Sequence, residues 1–155
     1  NGSTGSFFAR FLDKLVPIEL LTHKSNKEIP LLKISGIGAD LKLLKEIRGG
    51  RKIVVLGDML ELGGAAEFFH YKIGSLMGEL NIQALFTLGK YSHKTVAGAK
   101  KAGIEEAFFF RDKKSLIEKL LTFLRENDCL LVKGSREMRM EEIIDRLRMK
   151  LCSST

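Results

Sequence analysis

The stretches that decide the fold of this chain are KIVVLGDMLELG (Lys52–Gly63) and CLLVKGSREM (Cys129–Met138). Each is a short apolar run that stops at a glycine and opens into a polar, charged loop, a pattern typical of a buried strand that leads into a functional loop. Two further runs, LLKISG at Leu31–Gly36 and ALFTLG at Ala84–Gly89, end in the same way. If these strands are parallel, their loops gather along one edge of one sheet, where open α/β sheets bind ligands.

Predicted helices alternate with predicted strands from Leu31 onward. The strands are Leu31–Ser35, Lys52–Leu56, Ala84–Leu88, Ala107–Phe110 and Leu130–Lys133, and the helices are Ala39–Ile47, Glu67–Leu80, Ser92–Ala102, Ser115–Asn127 and Met140–Leu151. Ser115 and Glu118 have the spacing of a capping box. Continuous apolar strands separated by helices predict an α/β fold, with a doubly wound, mostly parallel, Rossmann-like sheet and helices on both faces.

Residues 1–30 do not follow this alternation. They contain an apolar stretch at Phe7–Leu15, then Val16-Pro17, then a polar loop at Thr22–Glu28. We therefore predict two parts, an appendage or remnant of another domain at residues 1–30 and the Rossmann-like domain at residues 31–155.

The composition is that of a chain with a substantial core, since 45% of its 155 residues are hydrophobic and 29% are charged. No apolar stretch is long enough to cross a bilayer, and the first residues lack the basic head and apolar core of a secretory signal. Cys129 and Cys152 form neither a CxxC motif nor a Cys/His spacing. The sequence therefore predicts reduced thiols, a cytoplasmic setting, no membrane partner and no bound metal.

The chain is basic, with a formal net charge of +7 and an isoelectric point of about 9.5. Its lysines and arginines are dispersed, and many alternate with acids on predicted helix faces. This pattern favours a solvated surface or anionic metabolites over nucleic acid, for which aromatic residues interleaved with basic ones are missing. Nothing in the pattern favours a particular oligomeric state.

In GDMLELG, Gly57 permits a sharp turn at the end of the strand, and Asp58 follows at the predicted mouth of the sheet, with Glu61 close by. One interpretation is that Asp58 orients an amine, a ribose hydroxyl or a metal-bound water. The other is that Asp58 only caps the turn that follows it. The pattern does not choose between these two interpretations.

In KGSREM, Lys133 ends a predicted buried strand, so its ammonium group is expected at the same mouth. Gly134 and Ser135 offer backbone N–H groups and a hydroxyl, and Arg136 adds a guanidinium suited to a carboxylate or phosphate. Together these residues predict an anion-binding loop. The alternative is a basic loop that only caps the last helix. The segment lacks the spacing of a Walker A loop.

His70 lies within the helix predicted at Glu67–Leu80, beside its buried stripe. We favour a structural, hydrogen-bonding role for it over a role as a base. The sequence contains no Ser/His/Asp or Cys/His arrangement that would nominate a nucleophile, so no catalytic residue is assigned.

KIVVLGDMLELG, followed by His70 and Ile73-Gly74, and then LVKGSREM with Glu141 resemble the C-terminal domain of the Mur ligases. The resemblance covers roughly Leu41–Leu151. It is strongest to the branch that joins D-alanyl-D-alanine to UDP-N-acetylmuramoyl-tripeptide in peptidoglycan synthesis.

This resemblance implies a three-domain, ATP-dependent ligase. Its central domain binds ATP and Mg²⁺ and activates a carboxylate as an acyl phosphate. Its Rossmann-like C-terminal domain closes over that site and helps to hold the incoming D-alanyl-D-alanine, whose amine attacks. By position, the loop Lys133, Gly134, Ser135 and Arg136 would face the dipeptide carboxylate, and Asp58 and Glu61 belong to the neighbouring loop. Gly57 and His70 would be structural.

Two departures from the family pattern limit what the resemblance implies. The family's DSYNANP-like segment is replaced by ISGIGAD at Ile34–Asp40, and Asn1–Leu12 resembles an NGKTGT phosphate loop with Ser3 where the lysine belongs. We therefore expect residues 1–30 to be an appendage or a remnant of the central ATP-binding domain, and the chain to bind no cofactor and catalyse nothing by itself. The rival interpretation is a non-catalytic relic or interaction module of the same fold.

Overall fold

The computed structural model describes residues 50–60 and 62–152 and the backbone of three earlier strands. Residue 152 is described without its side chain. Those strands are β1 at Leu12–Leu15, β2 at Glu19–Thr22 and β3 at Glu28–Gly36. Glu61 and the helix predicted at Ala39–Ile47 lie outside the described residues. The predicted domain boundary at residues 30 and 31 falls inside β3 and stays a prediction.

A seven-stranded sheet forms the centre of the molecule. Its remaining strands are β4 at Lys52–Gly57, β5 at Ala84–Leu88, β6 at Ala107–Phe110 and β7 at Cys129–Lys133. The strand order is β1-β3-β7-β4-β5-β6, and β2 also pairs with β3. The five strands from β3 to β6 in this order are parallel to their neighbours, whereas β1 and β2 run antiparallel to β3. The prediction of a mostly parallel sheet is confirmed.

In residues 62–152, three helices connect the later strands and a fourth follows β7. They are α1 at Ala66–Met77, α2 at Ser92–Lys101, α3 at Lys113–Phe123 and α4 at Glu141–Cys152, and a short 3-10 turn at Gly78–Leu80 extends α1. Each corresponds to a helix predicted from the sequence. In the part of the chain that the structure describes, no helix combines the length and apolar character needed to cross a membrane.

The start of α3 differs from the prediction. The helix begins before Ser115, and its N-cap is Asp112, whose carboxylate accepts the backbone N–H of Ser115 at 2.7 Å and its hydroxyl at 3.1 Å. The capping box predicted for Ser115 and Glu118 is therefore wrong. Asp112, three residues upstream, accepts the N–H of Ser115, the group that Glu118 would bind in a capping box. Ser115 therefore lies inside the first turn of the helix and is not its N-cap.

The core has two layers, one on each face of the sheet. Val54, Leu85 and Leu131 pack with residues of α1 and α2, whereas Ile53, Phe86 and Leu130 pack with residues of α3 and α4. Successive residues of a strand point to opposite faces, so a strand covered on both faces must be apolar throughout. This explains why the central strands read as continuous apolar runs, and it confirms the doubly wound α/β fold.

Helices α1 and α2 approach each other at two glycines. A Cβ atom at Gly74 would overlap the carbonyl oxygen of Thr95, and one at Gly98 would overlap the carbonyl oxygen of Tyr71. Both positions are buried. The close approach is possible because glycine has no side chain, and it fixes α1 against α2 on one face of the sheet.

The opposite, amino edge of the sheet is held by a buried ion pair. Arg51 donates from Nε and Nη2 to the two carboxylate oxygens of Asp128, at 2.8 and 2.7 Å, and from Nη2 to the carbonyl of Phe123 at 2.7 Å. Asp128 is only 1% exposed and also accepts the N–H of Arg125 at 2.7 Å. The hydrogen bond to Asp128 raises the pKa of Arg51, which favours the charged guanidinium. The pair ties β4 to the segment that precedes β7.

Candidate functional site

The two motif loops meet at the carboxyl edge of the sheet. Leu56 pairs with Lys133 where β4 and β7 end side by side. Just beyond, the backbone N–H of Ser135 donates to the carbonyl oxygen of Asp58 at 3.1 Å, and the N–H of Leu60 donates to the Ser135 hydroxyl oxygen at 2.7 Å. These two hydrogen bonds join the loops into one structure, which we call the rim and define as residues 57–60 and 133–136.

Two glycines of the rim are packed under Met140. A Cβ atom at Gly57 would lie 2.6 Å from the Met140 sulfur, and one at Gly134 would lie 2.6 Å from Met140 Cγ and 3.1 Å from the Cα atom of Gly57. Met140 is itself buried in the core below α4. A side chain at Gly134 would press on the backbone of Gly57 and separate the two loops, whereas a side chain at Gly57 would have to displace the Met140 side chain.

The Asp58 carboxylate points away from Ser135, toward the loop that follows β5. It is buried, and it accepts the backbone N–H of Lys90 at 2.6 Å and that of Tyr91 at 3.1 Å. Gly89, with φ of +126°, leaves the space that the carboxylate occupies. The Asp58 carboxylate thus caps the turn that precedes α2 instead of the turn that follows Asp58 itself. A role for Asp58 in ligand binding stays a prediction.

His70 is a buried structural residue, only 2% exposed. Its Nδ1–H donates to the carbonyl of Ala66 at 2.6 Å, which leaves Nε2 unprotonated to accept the backbone N–H of Met59 at 3.0 Å. Burial lowers the pKa of His70, opposed by the Ala66 carbonyl and by Asp58, whose carboxylate lies 3.7 Å from Nε2. The neutral ring therefore holds the start of the GDMLELG loop. The placement of His70 beside the buried stripe was wrong, because the ring lies within the core.

The other predicted site residues take different positions on the rim. Lys133 is the last residue of β7 and is only 8% exposed, whereas Gly134 and Ser135 are half-buried. Arg136 begins a short 3-10 turn and is exposed. The structure thus brings Ser135 against the backbone of the Asp58 loop and leaves the Arg136 side chain at the surface. Glu61 lies outside the described residues.

Sequence reasoning missed the part played by the loop at Lys90 and Tyr91. It identified the glycine-ended run ALFTLG but assigned no residue after it. The structure places this loop next to the rim through Asp58. The sequence signal for this loop was the glycine that ends the apolar run ALFTLG, the same pattern that ends the apolar runs of the two motif stretches.

The described residues offer no cluster of carboxylate, imidazole or thiolate ligands for a Mg²⁺ ion. Residues 50–60 and 62–152 contain no group of three or more His, Cys, Asp or Glu side chains that could hold a metal ion. The buried carboxylate of Asp58 is already bound by two backbone N–H groups. No chemical step is therefore assigned to a metal or nucleotide within this part of the chain.

Comparison with known proteins identifies the family. The model of the Mur ligase, glutamate ligase domain matches residues 34–136, which include β4, β7 and the rim. This range is more than half of the chain. The chain belongs to the Mur ligase family. The resemblance drawn from the two motif stretches is confirmed.

Curated relatives from two bacteria match the same region. The UDP-N-acetylmuramoyl-tripeptide–D-alanyl-D-alanine ligase of Bacillus subtilis is 35% identical over 111 residues, which are 70% of this chain and 24% of that protein. The ligase of the same name from Escherichia coli is 34% identical over 117 residues, 74% of this chain and 25% of that protein. The chain thus spans about a quarter of the length of these relatives.

A solved Mur ligase structure has the same fold. MurF from Acinetobacter baumannii covers 87% of this chain, with a TM-score of 0.63 and 20% sequence identity, over 30% of its own length. Together with the family match, this likeness favours the C-terminal domain of a Mur ligase over the rival interpretation, a non-catalytic relic or interaction module of the same fold.

Proposed function

We propose that this chain is the C-terminal domain of an ATP-dependent amide ligase that adds D-alanyl-D-alanine to UDP-N-acetylmuramoyl-tripeptide in peptidoglycan synthesis. In this role it binds the incoming dipeptide and closes over the site where the dipeptide's amine reacts. The proposal is supported by family membership and by the activity named for the Bacillus subtilis and Escherichia coli relatives.

The observation that carries the proposal is the double link of Ser135 to the GDMLELG loop. Because the Ser135 hydroxyl oxygen accepts the N–H of Leu60, its own proton is left to donate outward. Because the Ser135 N–H is held by the Asp58 carbonyl, the hydroxyl sits on a fixed backbone. A fixed donor of this kind orients a ligand with little further ordering.

The exposed guanidinium of Arg136 complements this donor. An arginine fork binds a carboxylate through two parallel hydrogen bonds and fixes its plane as well as its position. We propose that Arg136 and Ser135 hold the carboxylate of D-alanyl-D-alanine, with Lys133 adding positive charge and Gly134 letting the ligand approach the backbone. Asp58 serves the site by positioning, and we keep Glu61 as a candidate contact. Holding the carboxylate directs the free amine toward its target.

We assign ATP and Mg²⁺ to the remainder of the ligase and propose that this chain alone forms no acyl phosphate. Phosphate release should therefore stay at background when the chain is mixed with ATP, Mg²⁺, the muramoyl tripeptide and the dipeptide. Turnover by the chain alone would contradict the proposal. A cytoplasmic setting fits Cys129, a free and buried thiol whose pKa is raised by burial to about 11.

Calorimetric titration of the 155-residue chain with D-alanyl-D-alanine tests the proposed binding site. We expect weak binding that is lost in Arg136→Ala, because the guanidinium supplies the charge that holds the carboxylate. The matched control is Arg125→Ala, which removes an exposed arginine near the amino end of β7 and should leave binding unchanged. L-alanyl-L-alanine tests stereochemical selection. Equal heats for the native chain and Arg136→Ala would contradict the assignment.

A further inference from the structure

A cavity of about 650 Å³ opens at the carboxyl ends of β5 and β6, away from the rim. It is lined by Gly89, Lys90, Ser92, His93, Phe109 and Arg111. The strand order places two strands, β4 and β5, between β7 and β6. Because neighbouring strands lie about 4.8 Å apart, the carboxyl end of β6 lies about 14 Å from that of β7, which Arg136 follows.

The walls of the cavity are held by hydrogen bonds. The N–H of Gly89 donates to the carbonyl of Phe110 at 3.2 Å, which joins the loops that follow β5 and β6. The Ser92 hydroxyl donates to the carbonyl of Gly89 at 2.7 Å, and Asp58 holds the N–H groups of Lys90 and Tyr91. The cavity is therefore a preformed feature of the fold.

Its polar lining is basic. Lys90, His93 and Arg111 are exposed, and within the described part of the chain the side chains of His93 and Arg111 make no hydrogen bond or ion pair. The nearest acid in sequence, Asp112, directs both carboxylate oxygens to Ser115 at the start of α3. The lining thus presents two cations and an imidazole ring. The nearby Asp58 carboxylate is buried against the backbone N–H groups of Lys90 and Tyr91, so the exposed side chains favour an anionic ligand.

Its apolar lining is an exposed aromatic ring. Phe109 is 53% exposed although its neighbours Phe108 and Phe110 are half-buried, because alternate residues of edge strand β6 point to opposite sides. An exposed phenyl ring beside cations offers a face on which a planar group can stack.

We propose that this cavity is a second anion-binding site, distinct from the rim, for a ligand that carries a phosphate or carboxylate on a planar, apolar group. Arg111 and Lys90 bind the anion, His93 adds a ring N–H donor, and the planar group covers Phe109. This site does not depend on the proposed binding of the dipeptide, because it uses none of the residues assigned to it except the positioning residue Asp58.

Phenyl phosphate is the probe for this site, and amide chemical shifts of the isotopically labelled chain locate where it binds. We expect saturable shifts at Gly89, Lys90 and Arg111. Arg111→Gln should weaken binding about tenfold, since it removes a charge-assisted hydrogen bond. The control Lys101→Gln removes an exposed cation from the far end of α2 and should leave binding unchanged.

Phe109 is tested with a second pair of probes. Phe109→Thr should reduce the affinity for phenyl phosphate to that for inorganic phosphate, because only the ring contact is removed. Stronger binding of phenyl phosphate than of phenylacetate assigns a phosphate ester, and the reverse assigns a carboxylate; both outcomes support the site. Absence of saturable shifts, equal binding by Arg111→Gln, or equal losses in Arg111→Gln and Lys101→Gln would overturn it.

Discussion

The Asp58 carboxylate accepts the backbone N–H of Lys90 at 2.6 Å, across 32 residues of sequence. Through this bond the loop after β4 fixes the loop after β5, while Ser135 fixes the loop after β7 to the same segment. Three neighbouring strands therefore share one connected set of loops at their carboxyl ends. A substitution at Asp58 should therefore alter both the loop after β5 and the loop after β7.

Asp58→Asn is predicted to lower the free energy of unfolding by about 1–3 kcal/mol. The amide has one acceptor oxygen and a donor group, so one of the two N–H groups of Lys90 and Tyr91 loses its buried partner. Urea denaturation measures this loss, and hydrogen exchange should show faster exchange at the Tyr91 amide. Asp112→Asn, at an exposed helix cap, is the control and should cost less. An equal loss in both variants would contradict this account of Asp58.

His70→Leu is predicted to destabilise the fold by about 1–3 kcal/mol, because the buried N–H of Met59 loses its acceptor. His70→Gln retains a carbonyl oxygen on a side chain of similar reach and should recover part of the loss. The urea midpoints of the three proteins at pH 7.5 (about one unit above the ordinary His pKa) measure the difference. Identical midpoints for the two variants would contradict the hydrogen-bonding role.

The same histidine should make stability depend on pH. Burial lowers the pKa of His70 from its ordinary value of 6.5. Below that pH the unfolded chain binds a proton that the folded chain resists, so this contribution is present above pH 6.5 and is lost as the pH falls toward the folded pKa. The urea midpoint of the native chain should therefore fall more steeply with decreasing pH than that of His70→Gln. Parallel pH profiles would rule out this linkage.

Gly98→Ala is predicted to destabilise the protein by about 1–3 kcal/mol, since the new methyl group would overlap the carbonyl oxygen of Tyr71 and force α1 away from α2. Gly64→Ala is the matched control, because nothing lies within 4 Å of a Cβ atom there. It should change stability by less than about 0.5 kcal/mol. Thermal unfolding of the two variants compares them, and similar losses would contradict the packing argument.

Asp128→Asn is predicted to cost about 1–3 kcal/mol, because the amide keeps one acceptor oxygen but removes the charge that pairs with the partly buried Arg51. Glu142→Gln, which removes the more exposed pair with Lys113, should cost far less. Both can be measured by urea denaturation.

Since Asp128 lies at the amino edge, the folded fraction of Asp128→Asn should bind ligand at the rim as the native chain does. A selective loss of binding would contradict the separation of the two edges.

The sheet could be predicted from sequence because its central strands are covered on both faces and therefore read as unbroken apolar runs. The four described helices followed from their apolar periodicity and breakers. The start of α3 was predicted wrongly, because Ser115 and Asp112 both have the chemistry of a helix cap and only the backbone geometry selects Asp112.

The direction of the Asp58 carboxylate could not be predicted, because its partners Lys90 and Tyr91 are distant in sequence and donate through their backbone. Every residue except proline carries a backbone N–H group, so the amino-acid sequence does not show which residues donate such a bond. The burial of His70 was missed for a related reason. Helical spacing shows which residues share the apolar face, but it does not show that a polar ring on that face is buried beneath the Met59 loop.

The central claim is that the two motif loops form one binding surface for the carboxylate of a dipeptide. Amide chemical shifts of the labelled chain, recorded during titration with D-alanyl-D-alanine, test it most directly. We predict saturable shifts at Leu60, Gly134 and Ser135 together, and their loss in Ser135→Ala with the fold intact. Shifts confined to one loop, or a response that survives in Ser135→Ala, would contradict the claim.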